Sequence, residues 1–575
     1  MHRVLAAALL AAIALTSTAQ AKDRPPTAWQ LCDGYPEPTS AGEDIGRLVV
    51  VLGTFGLLGL KDDAKRITTA RGKDGIEACA EVLGAPLLEH YWARHVSVVT
   101  ARAIHYLEAK NPDAALADIN SIASIARDHV NDPYYQNTIS LKAKLLTSMA
   151  YLVQSNLSGL HESLVDLSPR KAYGGRFQMT LLEFLYADPS TAGDAVDVWR
   201  SLLRVSPQSY KSVGVVMSWT DNAEARADFW ESALATNRLL AKRLALRIRD
   251  REESRRRRSS YAKDEPPASL DLGPDPLIAA NAAVAAARAG RYDRANELIS
   301  LAQVVSDRYN HKSSVPKRNK KRVTDDEKRL AEVTGSSKNF TDIHEQVNLV
   351  DAFLFAHDGD FADANKAMKN TRFRNAAAAL DLVSLVAAHR SPAGASSKIV
   401  DDTDEFRSRH QDRARTRALA RIDYETLVDL IPTAQRKRSI SSYSKRILLG
   451  IKPTGFKEKK DPDGLGYHIE FLGNTFSRAA AEEMVILRAA AKARDAHMPA
   501  FVVLDRRDYT QRKTMTYNGI PTGPSWLSGY RTDVDVMFVD PDNLPAELQS
   551  AKDRVLMVDD VWAALAPTYV PERQR

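Results

Sequence analysis

The stretch AGRYDRANELISLA, residues 289–302, decides the fold predicted for this chain. It places a glycine at a turn, an aromatic residue beside the turn, and small or apolar residues at three- and four-residue intervals after it. The positions are Gly290, Tyr292, Ala295, Ile299 and Ala302. The pattern returns at Gly359, Phe361, Ala364 and Met368. This spacing is typical of two short antiparallel helices that pack closely, so we predict a mainly α-helical chain built from repeated helical hairpins.

These hairpins resemble the tetratricopeptide repeat, in which small residues lie where helices cross and an aromatic residue lies beside the turn. The resemblance implies an α-solenoid over residues 98–395, best supported at 278–303 and 345–370. Alanines replace the family's large first-helix residues at 279–287, and the two turn glycines are 69 residues apart with a polar tract between them. A weaker copy has Lys110 in place of the turn glycine. We therefore predict a generic α-solenoid, and a single irregular helical bundle is the alternative.

The N-terminus predicts export. Residues 1–21 combine a positively charged start, an apolar run over 4–15 and a small-residue site at 19–21, which are the three parts of a secretory signal peptide. We expect cleavage after Ala21 and a location in the periplasm or outside the cell. The apolar run is too short for a permanent membrane span, and a buried N-terminal helix is the alternative.

Length and charge limit the classes of partner. The 575-residue chain exceeds the size of one ordinary hydrophobic core, so two or more folding units are expected. Its net charge of +7 includes three basic segments at Arg247–Arg258, Lys312–Arg329 and Arg436–Arg446, which are typical of solvated loops or helix ends. An exported chain is not expected to bind nucleic acid, whereas an anionic membrane surface or envelope polymer is accessible to such segments.

Two cysteines, Cys32 and Cys79, lie in a predicted helical cap over residues 22–97. An even number of cysteines in an exported chain favours a disulfide, which would close a loop of about 48 residues and add roughly 4 kcal/mol of stability. Two buried thiols are the alternative. No metal site is expected from so few soft ligands, and the 13 histidines lack metal-ligand spacing.

The C-terminal part differs in kind from the helical part. Residues 396–460 are predicted to form a linker that contains one helix. Apolar residues then alternate with polar ones at 467–471 and 534–538, and a short continuous apolar run lies at 501–504; these patterns indicate strands. We therefore predict a small α/β sandwich over residues 461–575, in which one helix crosses a sheet of three or four strands.

About 45 residues of this C-terminal unit carry a second resemblance. The residues concerned are Tyr467, Phe471, Gly473, Asn474, Glu482, Leu487, Arg488, Ala489, Ala490, Phe501, Val503, Asp505 and Arg506. They are similar to the conserved stretch of a family of short, uncharacterised envelope lipoproteins of Gram-negative bacteria. The resemblance implies an envelope location and no particular reaction. This chain lacks the family's lipid-modified cysteine, so direct membrane anchoring is not expected.

The best candidate for chemistry is a polar cluster at a strand end. Asp505, Arg506 and Asp508 close the predicted strand, and Arg488 on the crossing helix is expected to face them. Carboxylates at a strand end can act as general bases, but a salt-bridged strand end is the commoner arrangement. The sequence carries no nucleophile elbow, phosphate-binding loop or dinucleotide fingerprint, so no cofactor is predicted.

These observations favour a binding protein over an enzyme. We predict an exported, non-catalytic repeat scaffold that binds an envelope protein or peptide in the groove of its solenoid. Two alternatives stay open. One is an envelope hydrolase that acts on glycan or peptide with the solenoid as substrate guide, and the other is a basic tether to anionic lipid or polymer.

Overall fold

The structure is a computed structural model of the whole chain. It describes residues 25–35, 37, 69–133, 135–186, 195–217, 222–258, 273–312, 324–335, 343–369, 376–390, 396–428, 430, 455–473, 478–517 and 520–570. The predicted signal peptide therefore lies outside the described residues, as does the basic segment Arg436–Arg446.

The described residues are mainly helical, as predicted. Helices α1 to α10 are Ala28–Asp33, Gly72–Leu83, Trp92–Glu108, Pro112–Ile125, Leu141–Gln154, Leu157–Arg170, Gly175–Leu185, Ala195–Val205, Tyr210–Met217 and Ala223–Arg258. Helices α11 to α20 are Pro276–Arg288, Tyr292–Lys312, Asp325–Val333, His344–His357, Phe361–Lys369, Ala376–Arg390, Ser396–Ala420, Tyr424–Val428, Arg478–Asp495 and Val558–Tyr569.

Four pairs of helices are joined by turns of one geometry. The pairs are α3–α4, α5–α6, α11–α12 and α14–α15, and their turn residues have positive φ angles: Lys110 (58°), Ser155 (62°), Gly290 (74°) and Gly359 (82°). In each turn the following N–H donates to a carbonyl five residues earlier, as from Arg291 to Ala286 at 2.9 Å. This bond satisfies a carbonyl at the end of the first helix, so the chain can reverse within three residues.

The hairpins at α11–α12 and α14–α15 share one core with α16. Ala295, Ala302 and Ala364 are fully buried there, because small side chains let the helices approach closely. The Tyr292 ring beside the first turn stacks on His357 at the end of α14, with ring centroids 4.0 Å apart. The remaining repeat positions are buried or partly buried in the same core: Ile299, Phe361 and Met368. These contacts establish packed hairpins but not a continuous solenoid.

The N-terminal helices form a second core with the predicted linker. Cys32 and Cys79 form the predicted disulfide between α1 and α2, with Cα atoms 4.7 Å apart. The segment 396–460 contains two described helices, α17 and α18, where one was predicted. Tyr424 of α18 is buried beside α1, and its hydroxyl donates to the carbonyl of Asp33 at 3.0 Å. Residues 418–430 of this segment therefore pack into the N-terminal core.

Five antiparallel strands form a sheet in the C-terminal part, where three or four were predicted. They are β1 (Gly455–Lys460), β2 (Gly466–Gly473), β3 (Ala500–Tyr517), β4 (Ile520–Val539) and β5 (Leu556–Met557), in the order β1-β2-β4-β3-β5. The sequence did not reveal β1 because this edge strand is rich in lysine and lacks apolar alternation.

Both faces of this sheet are covered. Phe501 and Val503 of β3 pack on one side against α19 and α20, while Ala500, Val502 and Leu504 pack on the other side against α10. Period-two alternation makes this possible, because successive side chains of a strand point to opposite faces. The predicted α/β unit therefore shares its core with a helix from the middle of the chain.

Helix α10 joins three hydrophobic cores along its 36 residues. Its start contributes Phe229 to the N-terminal core, its next turn contributes Leu234 to the hairpin core, and Leu244 packs against the sheet. It places the helical part and the sheet in fixed contact.

Candidate functional site: a polar cleft over the sheet

The sheet face beneath α10 changes from apolar to polar at an irregularity in β3. The register shifts between Val503 and Asp505, so that Leu504 and Asp505 lie on the same face. The following residues of β3 on that face are Arg507 and Tyr509. The bulge thus ends the apolar contact with α10 and begins a charged surface.

Pairing across the strands arranges this charged surface in rows. The first row, from β1 to β3, contains Lys459, His468, Asp535 and Asp505. The second contains Lys457, Glu470, Asp533 and Arg507. Neighbouring strands lie about 4.8 Å apart, so each row spans roughly 14 Å. Six of these eight residues line the floor of a cleft of about 880 Å³, and the buried Asp535 and Asp505 lie beneath it.

Arginines from two helices form the roof of this cleft. Arg247 and Arg251 lie one helical turn apart on α10, and Arg329 comes from α13. The four-residue spacing puts the two α10 arginines on one helix face, toward the sheet. Arg251 pairs with Asp326 of α13, which links the two helices of the roof.

A buried ion network joins the roof to the first row. Arg247 contacts Asp461 and Asp535, each with nitrogen and oxygen 2.6 Å apart, and Asp535 also lies 3.1 Å from Nδ1 of His468. Burial alone would raise the pKa of Asp535, but the charges and hydrogen bonds of His468 and Arg247 hold this pKa well below its ordinary value. The carboxylate therefore stays ionised.

His468 lines the cleft and carries a raised pKa. Burial lowers this pKa, but the charge and hydrogen bond of Asp535 outweigh burial. The other imidazole nitrogen belongs to a side chain that is 26% exposed. The contact with Asp535 therefore favours the protonated imidazole of His468, which lines the cleft.

Asp505 lies at the end of the first row, beneath Arg329. Its carboxylate accepts from Nε of Arg329 at 2.8 Å and is 2% exposed. Burial raises the pKa of Asp505 and outweighs the opposing charge of Arg329. The predicted strand-end carboxylate of Asp505 thus lies under the cleft floor. His468, in the same row, contacts Asp535 and not Asp505.

Arg506 and Asp508 lie on the opposite face of the sheet. Nη2 of Arg506 lies 2.8 Å from Glu482 of α19 and 3.0 Å from Asp508, and the Arg506 side chain is 1% exposed. A Cβ on Gly175 of α7 would overlap this guanidinium, so only glycine allows the close approach. This arrangement anchors the sheet to the helical part.

Arg488 does not face the polar cluster, so that prediction is wrong. It pairs with Glu458 of β1 and lies over the Phe456 ring, 5.4 Å from its centroid. The residue of α19 that contacts Arg506 is Glu482, six positions earlier. Six residues correspond to about 600° of helical rotation, so Arg488 and Glu482 point to different sides.

The basic segment Arg247–Arg258 was expected to be solvated, and its first residue is not. Arg247 is 5% exposed and ion-paired, because it lies on the α10 face that covers the sheet. A sequence signal existed: Arg243, Arg247 and Arg251 recur every four residues beside Leu244 and Ile248. Its partner Asp461 lies more than 200 residues away in the sequence, so no local pattern indicates the pair.

The described part of the chain offers binding and proton transfer at this cleft. Thr324 and Tyr509 provide the hydroxyl groups of its lining, and His468 provides an imidazole. A group of three potential metal ligands is not found among the described residues. None of the described helices combines the length and apolar character needed to cross a membrane.

Comparisons with protein-family models, with curated proteins and with solved structures find no match for this chain. The fold and the cleft define a mainly helical protein in which a long helix holds a five-stranded antiparallel sheet.

Proposed function

We propose that this protein is an exported, non-catalytic scaffold that binds an envelope protein or peptide through its helical hairpins. In this proposal the hairpins of residues 98–395 form a tetratricopeptide-like α-solenoid, and the envelope location follows from residues 1–21 and from the lipoprotein resemblance of the C-terminal unit. The Cys32–Cys79 disulfide supports an oxidising compartment.

The observation that carries the proposal is the shared turn geometry of the four helical hairpins. Four connections with a left-handed residue at the same position support the proposal of a repeated supersecondary unit. Repeated hairpins present their helices side by side, and such surfaces bind extended protein segments. Exposed apolar residues on the second pair of hairpins, Val304 at 55% and Phe355 at 38%, provide contact area for a partner.

Photocrosslinking in living cells tests this proposal. A photoreactive amino acid replaces Val304 or Phe355, and Met557 of β5 serves as the matched control because it is apolar, 39% exposed and outside the hairpins. We expect a discrete crosslinked partner from the two hairpin positions and none from Met557. Equal labelling from all three positions, or no partner from any, would contradict the proposal.

Fractionation tests the location separately. We expect the chain to appear in the envelope or the medium with Lys22 as its first residue, and with a Cys32–Cys79 bond that resists alkylation before reduction. An intact N-terminus in the cytoplasm would remove the export part of the proposal while leaving hairpin binding to be judged by crosslinking.

An envelope hydrolase is the second candidate, and the His468–Asp535 contact favours it. A histidine held by a buried carboxylate on the floor of a cleft is an arrangement found in general acid–base catalysis. The full-length protein should be incubated with envelope glycans and peptides beside a His468→Gln variant. Hydrolysis that is lost in the variant would replace the scaffold proposal. A basic tether is tested by liposome flotation, in which it requires salt-sensitive binding to anionic vesicles.

A further inference from the structure

We propose that the β1 side of the polar cleft binds an extended acidic peptide, whose carboxylates at positions i and i+2 pair with Lys457 and Lys459. This inference goes beyond the proposed scaffold function, because it assigns a ligand site to the sheet. It does not depend on export or on partner binding at the hairpins.

The cleft's own carboxylates are already paired within the described residues. Arg531 contacts Asp533 at 2.6 Å and Glu470 at 3.3 Å, and Arg329 contacts Glu332 at 2.9 Å. The other acidic lining residues, Asp325, Asp326 and Glu458, also have a cation within 4 Å. Each acidic residue of the lining therefore has a nearby cation, which reduces the electrostatic repulsion of an incoming anion.

Lys457 and Lys459 are cleft lysines whose positive charges are not used in these ion pairs. Both side chains line the cleft and are exposed, and neither has a carboxylate within 4 Å among the described residues. Across the sheet, Lys457 lies opposite Glu470, which Arg531 occupies, and Lys459 lies opposite His468. The raised pKa of His468 adds positive charge beside Lys459 as the pH falls.

The spacing of the two lysines selects a peptide. They lie two residues apart on one strand, so their side chains leave the same face about 6.7 Å apart. Same-face side chains of an extended peptide have this spacing, so two carboxylates of a peptide that runs beside β1 can contact both lysines at once. Because β1 is the first strand in the sheet order, its outer side faces away from β2.

Fluorescence anisotropy on the full-length protein tests the site. The probe is a labelled peptide in which Glu alternates with Val. One comparison peptide carries Gln in place of each Glu. The other has the same composition as the probe, but its Glu residues are adjacent and do not alternate with Val. The protein variant is Lys457→Gln with Lys459→Gln, and the matched control is Lys460→Gln, which changes the same charge on the opposite face of β1. All three lysines are exposed, so the folded state should be retained.

We expect saturable binding of the alternating peptide that weakens with salt and falls about 2- to 30-fold in the double variant. Lys460→Gln should leave binding unchanged, and the Gln peptide and the adjacent-Glu peptide should bind more weakly. A Lys457→Glu, Lys459→Glu variant should instead bind a peptide that alternates Lys and Val.

Four results would overturn the proposal. The first three are the absence of saturable binding, an equal loss in Lys460→Gln, and equal affinity for the two Glu arrangements. Polyphosphate that displaces the peptide and binds more tightly would identify a phosphate-polymer site and would also overturn it. Each of these results leaves the crosslinking test of the hairpins unaffected, so the two proposals can fail separately.

Discussion

Replacing Arg506 by Met should weaken the attachment of the sheet to the helical part. The methionine keeps much of the side-chain volume but removes the cation that contacts Glu482 at 2.8 Å and Asp508 at 3.0 Å. Both carboxylates then lose their closest positive charge. Among the described residues, Arg478 is then the one cation within 4 Å of them, at 3.6 Å from Glu482 and 3.8 Å from Asp508.

The structure sets the size of this effect. Glu482 is fully buried and Arg506 is 1% exposed, and removal of one member of such a buried ion pair typically costs about 3 to 5 kcal/mol. Glu482→Gln in the same chain removes the stranded charge, and its side chain can still accept the N–H of Arg176. The double variant should therefore recover about 0.5 to 3 kcal/mol relative to Arg506→Met.

Hydrogen exchange measured by mass spectrometry is the appropriate assay, because a chain with several cores need not unfold in one transition. Peptides from α19 and β3 should exchange faster in Arg506→Met, while those from α11 and α12 should not change. Arg409→Met is the matched control, since its pair with Glu405 is on the surface and should contribute less than about 1 kcal/mol.

The pH dependence provides a second check. Burial raises the pKa of Glu482, and loss of Arg506 should raise it further. A carboxyl group whose pKa is raised in the folded state destabilises that state when it is ionised, so the defect should shrink as the pH falls through that pKa. A change below 1 kcal/mol, or no recovery with Glu482→Gln, would refute this reasoning.

Three further predictions follow from the cap, the cleft and the hairpin turns. Replacing Cys32 and Cys79 by Ser should lower the free energy of unfolding of the N-terminal core by about 4 kcal/mol, measured by hydrogen exchange without reductant, and reductant should remove the difference from wild type. The raised pKa of His468 contributes stability that is complete below its unfolded pKa of about 6.5 and is lost as pH rises through its folded pKa. The difference in free energy of unfolding between wild type and His468→Gln should therefore shrink toward pH 9. A difference that stays constant with pH would contradict this. Gly290→Ala should lower the free energy of unfolding of the hairpin core by about 1 kcal/mol, measured by hydrogen exchange, because φ is 74°. Lys110→Gly should relieve comparable strain, and free-energy changes of the same sign in the two variants would contradict the shared turn geometry.

Local features of the fold were predictable from sequence. The turn at Gly290 and the burial of Ala295 depend on neighbouring residues, and the Cys32–Cys79 disulfide was predicted from the even number of cysteines together with the expected export. Lys110 has the left-handed backbone conformation of a turn glycine, with φ of 58°, at the position that the weaker copy of the pattern assigned to that glycine. Short-range patterning was sufficient for these elements.

The candidate site was not predictable for a physical reason. The alternation of apolar and polar residues along β4 indicated a strand with Asp535 on one face. This alternation does not reveal which helix covers that face. The covering residue, Arg247, comes from a segment whose charge density indicated solvent. The carboxylates of Asp461 and Asp535 compensate the buried charge of Arg247. Because these residues come from distant segments, neither segment alone shows a sequence pattern that predicts the contact.

Helix α10 also sets an order of events during synthesis. Its apolar stripe around Leu240 and Leu244 is made roughly 260 residues before the strands that cover it. At 5 to 20 residues per second, the ribosome needs about 13 to 50 s to produce those strands. A nascent chain must keep this stripe from aggregating for that interval, so we expect dependence on a holding chaperone. A fragment that ends before β3 should be insoluble.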